Sequence, residues 1–262
     1  LATPVLAIAF VPLFGNWQQA SRANQTDTTD FARDLLNSVE PYGILVTVGD
    51  NDTFPLWYAQ EVEGIRKDVI IANTSLLNTD WYRRQLIRRP VYEYDAAKGP
   101  SIYRNGQWPK PTGSPIKMTF DEADGLPLAI QTPPNSAFQA NGIVATPRLP
   151  QLMAADQLVY FMIRDAFPGR PMYFSRTAGG YPYEMGLERY VLTQGMAKKL
   201  VDHPVTAGKD TVLIPGEGFV DINRSKALWD SVFTATKSLA ARNGWVDDAS
   251  VGIPDLYVIS GV

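Results

Sequence analysis

The segment Asp50-Asn51-Asp52-Thr53 carries the residues best suited to chemistry. Two carboxylates one residue apart offer the hard oxygen ligands that a divalent cation takes, and Asp-x-Asp pairs of this kind serve many sugar-nucleotide enzymes. The pair follows the apolar run Gly43–Gly49, which reads as a strand covered on both faces. Ligands of open α/β sheets gather outside the carboxyl ends of such strands. Asn73, Asn78 and Asp80 emerge at the same edge after a second run, Asp68–Thr74. Asp50, Asp52 and Asp80 are therefore the candidate metal or sugar ligands. The same residues also suit a structural task, because Asp and Asn at a strand-to-helix turn satisfy free backbone N–H groups and complement the helix dipole. That task is favoured, so no catalytic residue and no cofactor is assigned.

Other chemistry is narrowly bounded. The chain has no cysteine and one histidine, His203, which excludes disulfide frameworks, thiol nucleophiles and zinc sites built on Cys or His clusters. A serine triad would need His203, which sits in the turn-like Asp202-His203-Pro204 without a Gly-x-Ser-x-Gly elbow. Gly179-Gly180 and Gly216-Glu217-Gly218 are turns outside any phosphate-cradling motif. A net charge of −3, from 24 basic and 27 acidic side chains, argues against a nucleic-acid partner. Trp57, Tyr58, Trp81 and Tyr82 are packing residues or interface anchors; Trp57, Trp81 and Trp108 would be the stacking platforms of a carbohydrate-binding module. Arg83, Arg84, Arg88 and Arg89 concentrate positive charge on one short helix, a solvated face or a contact for an acidic partner or anionic headgroups.

The leading end has a different character. Leu1–Phe14 is almost wholly apolar, and no charge appears before Arg22. As a helix, 14 residues reach about 21 Å, short of the roughly 30 Å bilayer core. Pro4 and Pro12 are expected to interrupt it. Three readings stand: the tail of a transmembrane helix, an interfacial segment on a membrane or partner, or an apolar strand of the core. Burying five of its large side chains would contribute on the order of 7–15 kcal/mol. Leu6, Ile8, Phe10, Val11, Leu13, Phe14 and Trp17 are thus the expected contacts with a membrane protein complex or a membrane surface, joined by Arg83, Arg84 and Arg88.

The remaining pattern alternates helix and strand. Thr28 or Thr29 is expected to cap a helix whose Phe31, Leu35 and Val39 share one face. Helices follow from Pro55 to Val62 and from Asn78 or Thr79 to Arg88. A buried helix over Gln151–Phe167, strands at Pro171–Ser175, Thr211–Ile214 and Leu256–Ile259, and an amphipathic helix over Ser225–Arg242 complete the expectation. Leu187–Val201 fits either strand or helix. The spacing predicts an α/β fold, a Rossmann-like, mainly parallel sheet flanked by helices. Residues 1–22 form a docking segment and 23–262 a single domain. Nine prolines and five glycines between Gly99 and Pro150 mark an extended insertion, an arm or pair of loops with short strands at Ile116–Phe120 and Leu128–Gln131.

Two blocks carry a family likeness. Asp50–Val69 (DNDTFPLWYAQEVEGIRKDV) and Asn73–Tyr82 (NTSLLNTDWY) resemble a signature of a bacterial membrane-protein family related to protein O-mannosyltransferases. The likeness covers 26–90, is fainter over 150–200 and stops in the proline-rich middle. It implies an extracytoplasmic, periplasmic domain following many transmembrane helices, with Leu1–Phe14 as the end of the last one. Because the resemblance puts the catalytic acid in the membrane portion, no catalytic residue carries over. A slighter likeness, of size and family, is to a pigment-free periplasmic subunit of a photosynthetic reaction-centre and light-harvesting assembly; no pigment ligand is expected. The implied role is a non-catalytic accessory subunit, against a glycosyltransferase-associated domain or a carbohydrate-binding module.

Overall fold

A computed structural model describes residues 2–21, 26–133 and 135–234. Helix α1 (Ala2–Ala20) precedes α2 (Asp27–Ser38), whose Phe31, Leu35 and Leu36 are buried. The helix opens at Thr26 rather than at Thr28 or Thr29, and the Thr26 hydroxyl donates to the Asp30 carboxylate at 2.9 Å. Strand β1 (Ile44–Thr47), α3 (Thr53–Glu61), β2 (Ile70–Asn73) and α4 (Asp80–Arg88) follow, as the spacing predicts. Both strands are buried along their whole length, so their apolar runs need not alternate.

Beyond the middle segment come β6 (Gln151–Met153), α6 (Ala154–Asp165), β7 (Met172–Ser175) and the short α7 (Tyr181–Glu184). Strands β8 (Val191–Gln194), β9 (Ala197–Leu200), β10 (Thr211–Ile214) and β11 (Gly218–Asp221) lead to α8 (Ile222–Ser231). Seven strands form one sheet in the order β10-β11-β8-β9-β7-β1-β2. One face packs Ile44, Val46, Ile70, Ala72, Met172 and Phe174 against α4 and α6; the other packs Leu45, Ile71 and Tyr173 against α2, α3 and α8.

The fold is α/β, but its sheet is mixed. Strands β2, β1 and β7 are parallel neighbours, and β8 runs parallel to β11. The pairs β7–β9, β8–β9 and β10–β11 are antiparallel. The ambiguous stretch Leu187–Val201 is the β8–β9 hairpin, whose two-residue turn is too short for a parallel crossover. Gly195 opens that turn at φ 60°, where a Cβ would lie 2.8 Å from Leu228 Cδ1. Replacing Gly195 by Ala is expected to lower stability by about 1–2 kcal/mol, from the left-handed backbone alone, in urea titrations.

The proline-rich segment is folded onto the body rather than extended as an arm. It contains α5 (Phe120–Asp124), β3 (Ala129–Gln131) paired with β6, and the hairpin of β4 (Phe138–Ala140) with β5 (Ile143–Ala145). Tyr103, Ile116, Ala123 and Ile143 are buried, and the Tyr103 hydroxyl donates to Ser38 O at 3.0 Å. Burial pushes that phenol up to about 12. Ile116–Phe120 forms no strand, because Thr119 and Glu122 build a capping box that starts α5.

At the leading end, Pro12 lies inside α1 without ending it; the ring removes one ladder donor, and the surrounding turns continue. The expected interruption and the core-strand reading both fall, since Ile8, Phe10, Val11, Leu13, Phe14 and Trp17 are exposed. Leu6 belongs to the same helix. Among the described residues no helix is long and apolar enough to cross a membrane. At the other end, the Asp221 carboxylate caps α8 by accepting from Arg224 N at 2.9 Å, so the helix begins before Ser225. The continuation to Arg242 and the strand at Leu256–Ile259 lie outside the described residues.

Candidate functional site

The carboxyl edge of β1, β2 and β7 is where the topology places a ligand crevice, because the chain leaves β1 for β2 on one side and returns as β7 on the other. Side chains fill that edge. The Thr47 and Thr53 hydroxyls lie 2.7 Å apart, and Thr53 donates to Gly49 O at 2.8 Å. Asn73 Nδ2 donates to Thr53 Oγ1 at 2.8 Å and to Gly49 O, while Asn73 Oδ1 accepts from Leu76 N at 2.9 Å. Asp52 is buried and accepts from the Thr177 hydroxyl, which itself lies 3.0 Å from Ser175 Oγ. The crevice between β1 and β7 is thus bridged by Asp52 and Thr177.

The sequence candidates part company here. Asp52 turns inward at the start of α3 without a capping bond to the backbone, and Asp50 and Asn51 are exposed. Asp80 pairs with Arg83 at 2.7 Å on a different helix. Among the described residues no group of three or more His, Cys, Asp or Glu could hold a metal ion. Asn78 Oδ1 accepts from Ala155 N at 3.1 Å and satisfies the first turn of α6. Asp52, Asn78 and Asp80 thus make structural contacts, through side-chain networks more than through caps, while Asp50 and Asn51 face solvent.

The arginine cluster is also dispersed. Arg83 is 3% exposed, and its guanidinium donates to Ala123 O and Asp80, pinning α4 to α5. Arg84 binds Asp124, holding that carboxyl below its usual range, and Arg89 donates to Gln60 Oε1 at 3.1 Å. Arg88 is exposed. Arg83 therefore leaves the set of partner contacts, since burial takes it out of reach.

Of the aromatics, Tyr82 is buried, its hydroxyl donating to Ile71 O at 2.9 Å and its phenol pushed up by burial. Trp108 donates to Tyr103 O at 2.8 Å and packs edge-on against that ring, which spends it structurally. Trp81 and Tyr58 are exposed, as are Phe54 and Val62, which share one side of α3 with Tyr58 at i, i+4 and i+8. That exposed stripe was legible as helical spacing but needed the burial of the opposite side, Leu56 and Ala59, to be recognised. His203 is exposed and contacts Asp202 at 2.7 Å, a turn pair at the surface.

These features define an α/β domain whose β1–β7 edge is bridged by its own side chains and whose leading helix is apolar and exposed. Residues 28–132 match the family model described as TMEM260-associated domain 2, which fits a domain of the O-mannosyltransferase-related membrane-protein family. The match covers less than half of the chain, yet it runs through much of the proline-rich middle, where the likeness was expected to stop. No curated protein and no solved structure matches the chain.

Proposed function

We propose that this chain is a non-catalytic accessory domain on the extracytoplasmic, periplasmic side of a membrane, held there by α1 and adding its folded body to a membrane-protein assembly. The exposure of α1 carries the reading: Ile8, Phe10, Val11, Leu13, Phe14 and Trp17 are 48–77% exposed. At 3.6 residues per turn, Phe10, Val11, Leu13, Phe14 and Trp17 fall within an arc of about 160°, one broad apolar face. An exposed apolar face of this width marks a contact with a membrane or a partner surface. The family match supplies the membrane-protein context.

The family link keeps a second reading in view, the soluble part of a glycosyltransferase-like membrane protein with Asp50 beside a sugar or metal. Neither comparison supports a photosynthetic assembly, and that narrower expectation is set aside.

Flotation with phosphatidylcholine–phosphatidylglycerol vesicles tests the tether. The full chain is expected to rise with the vesicles, and a chain lacking residues 2–21 to stay at the bottom with an unchanged circular-dichroism spectrum. Equal flotation of both, or no flotation of the full chain, overturns the proposal.

A further inference from the structure

The two glycine turns that belong to no motif in the sequence meet in space. Gly179-Gly180 follows β7, and Gly216-Glu217 lies in the turn from β10 to β11; with α7 and the β8–β9 hairpin they line an open cleft of about 560 Å³. That is the size range of small-molecule sites. Gly179, Gly216 and Gly218 have φ of 56°, 85° and 83°, and a Cβ at Gly216 or Gly218 would meet nothing within 4 Å. These backbones border open space.

Charge in the cavity is concentrated on Arg176 and Lys198. Arg176 follows the last residue of β7, its side chain is 6% exposed, and it reaches Glu217 at 2.5 Å. Lys198 lies across from Phe174 and Thr193 in the sheet register and lines the same space. Burial lowers the pKa of both cations; Glu217 partly restores them, and the Arg176 charge presses on Lys198. The other carboxylate of the lining, Glu188, is held from outside by Arg148 at 2.9 Å. A buried arginine and a half-buried lysine therefore face Glu217, which pairs with Arg176 and stands on a turn with glycine on both sides.

We propose that this cavity binds a small molecule bearing a carboxylate or phosphate, with Arg176 and Lys198 as its anion receptor and Glu217 as the resident carboxylate that the ligand displaces. The planar guanidinium offers a fork that matches either anion, and the lysine adds a point charge. Glycine on each side of Glu217 lets its carboxylate leave without moving a neighbouring side chain. The volume exceeds a bare ion, so the anionic group is attached to an organic body that reaches the exposed Tyr183 at the rim.

Isothermal titration of the full chain with phenyl phosphate, benzoate and inorganic phosphate tests this, with phenol as the uncharged control. Saturable binding of phenyl phosphate or benzoate is expected near or below about 1 mM, and none for phenol. Which of the three anions binds best separates phosphate from carboxylate and bare ion from organic anion. Glu217→Gln should tighten binding about tenfold and Lys198→Gln weaken it about tenfold, the worth of one charge-assisted contact. Both side chains reach the surface, so folded variants are expected, checked by near-ultraviolet circular dichroism. The proposal is overturned if neither the native chain nor Glu217→Gln binds an anion, if phenol binds equally, or if Glu217→Gln fails to tighten binding.

Discussion

Asp68→Ala is expected to lower the folding stability by about 3–5 kcal/mol, the usual loss when one partner of a buried ion pair is removed. Arg66 and Asp68 have side chains 4% and 2% exposed and meet through two contacts, at 2.9 and 3.0 Å. Arg66 Nη1 also donates to Leu36 O and Val39 O at 3.0 and 2.9 Å, binding the carbonyls at the end of α2. Asp68 accepts from Tyr42 N at 3.0 Å, and Gln60 donates to Arg66 O and Val69 O. One pair thus joins the end of α2, the loop after α3 and the entry to β1. Without Asp68 the guanidinium stays buried against the Tyr94 and Tyr103 rings, 5.2 and 5.7 Å away, with no anion beside it. Urea unfolding followed by tryptophan fluorescence measures the loss. Arg33→Ala, which breaks the more exposed contact with Glu63 at 3.2 Å, should cost no more than about 1 kcal/mol. A loss from Asp68→Ala as small as that from Arg33→Ala would mean that the pair does not organise this corner.

Asn73→Ala is expected to cost about 2–4 kcal/mol, since it leaves Gly49 O, Thr53 Oγ1 and Leu76 N each short of a partner at a buried edge. Asp50→Asn, on the exposed rim of the same edge, should change stability by no more than about 0.5 kcal/mol. The contrast separates a structural edge from a ligand site. A metal or sugar site would reverse the order in a binding assay, because Asp50→Asn would abolish calcium, manganese or glycan binding with the fold intact. Titration of the native chain and both variants with those ligands reads this out directly. Binding that depends on Asp50 would favour the glycosyltransferase-like reading over the accessory role.

Both predictions fall on the blocks that carry the family likeness. Thr53, Arg66 and Asp68 lie in Asp50–Val69, and Asn73 and Tyr82 in Asn73–Tyr82. In the structure these side chains bind one another and the backbone, so the most distinctive stretch of sequence specifies the fold of this corner. Asp50 and Asp52, candidate metal or sugar ligands by position, are the rim and floor of that construction.

Local periodicity determined much of what was legible. The apolar runs of β1, β2, β7 and β10 and the spacing of α2, α3, α4 and α6 are each set by which side of one element must leave water, a property written within a few residues. The apolar leading end was visible for the same reason. The packed state of the middle segment was less so, and Ile116–Phe120 read as a strand where the Thr119–Glu122 capping box starts α5. Tertiary structure alone decided the rest. Asp52 meets Thr177 across 125 residues, Arg83 meets Ala123 across 40, and Arg176, Lys198 and Glu217 converge from three turns and strands. Such partners depend on which strand inserts beside which, and placing β7 next to β1 is settled by the total burial of both sheet faces, not by any spacing within a single segment.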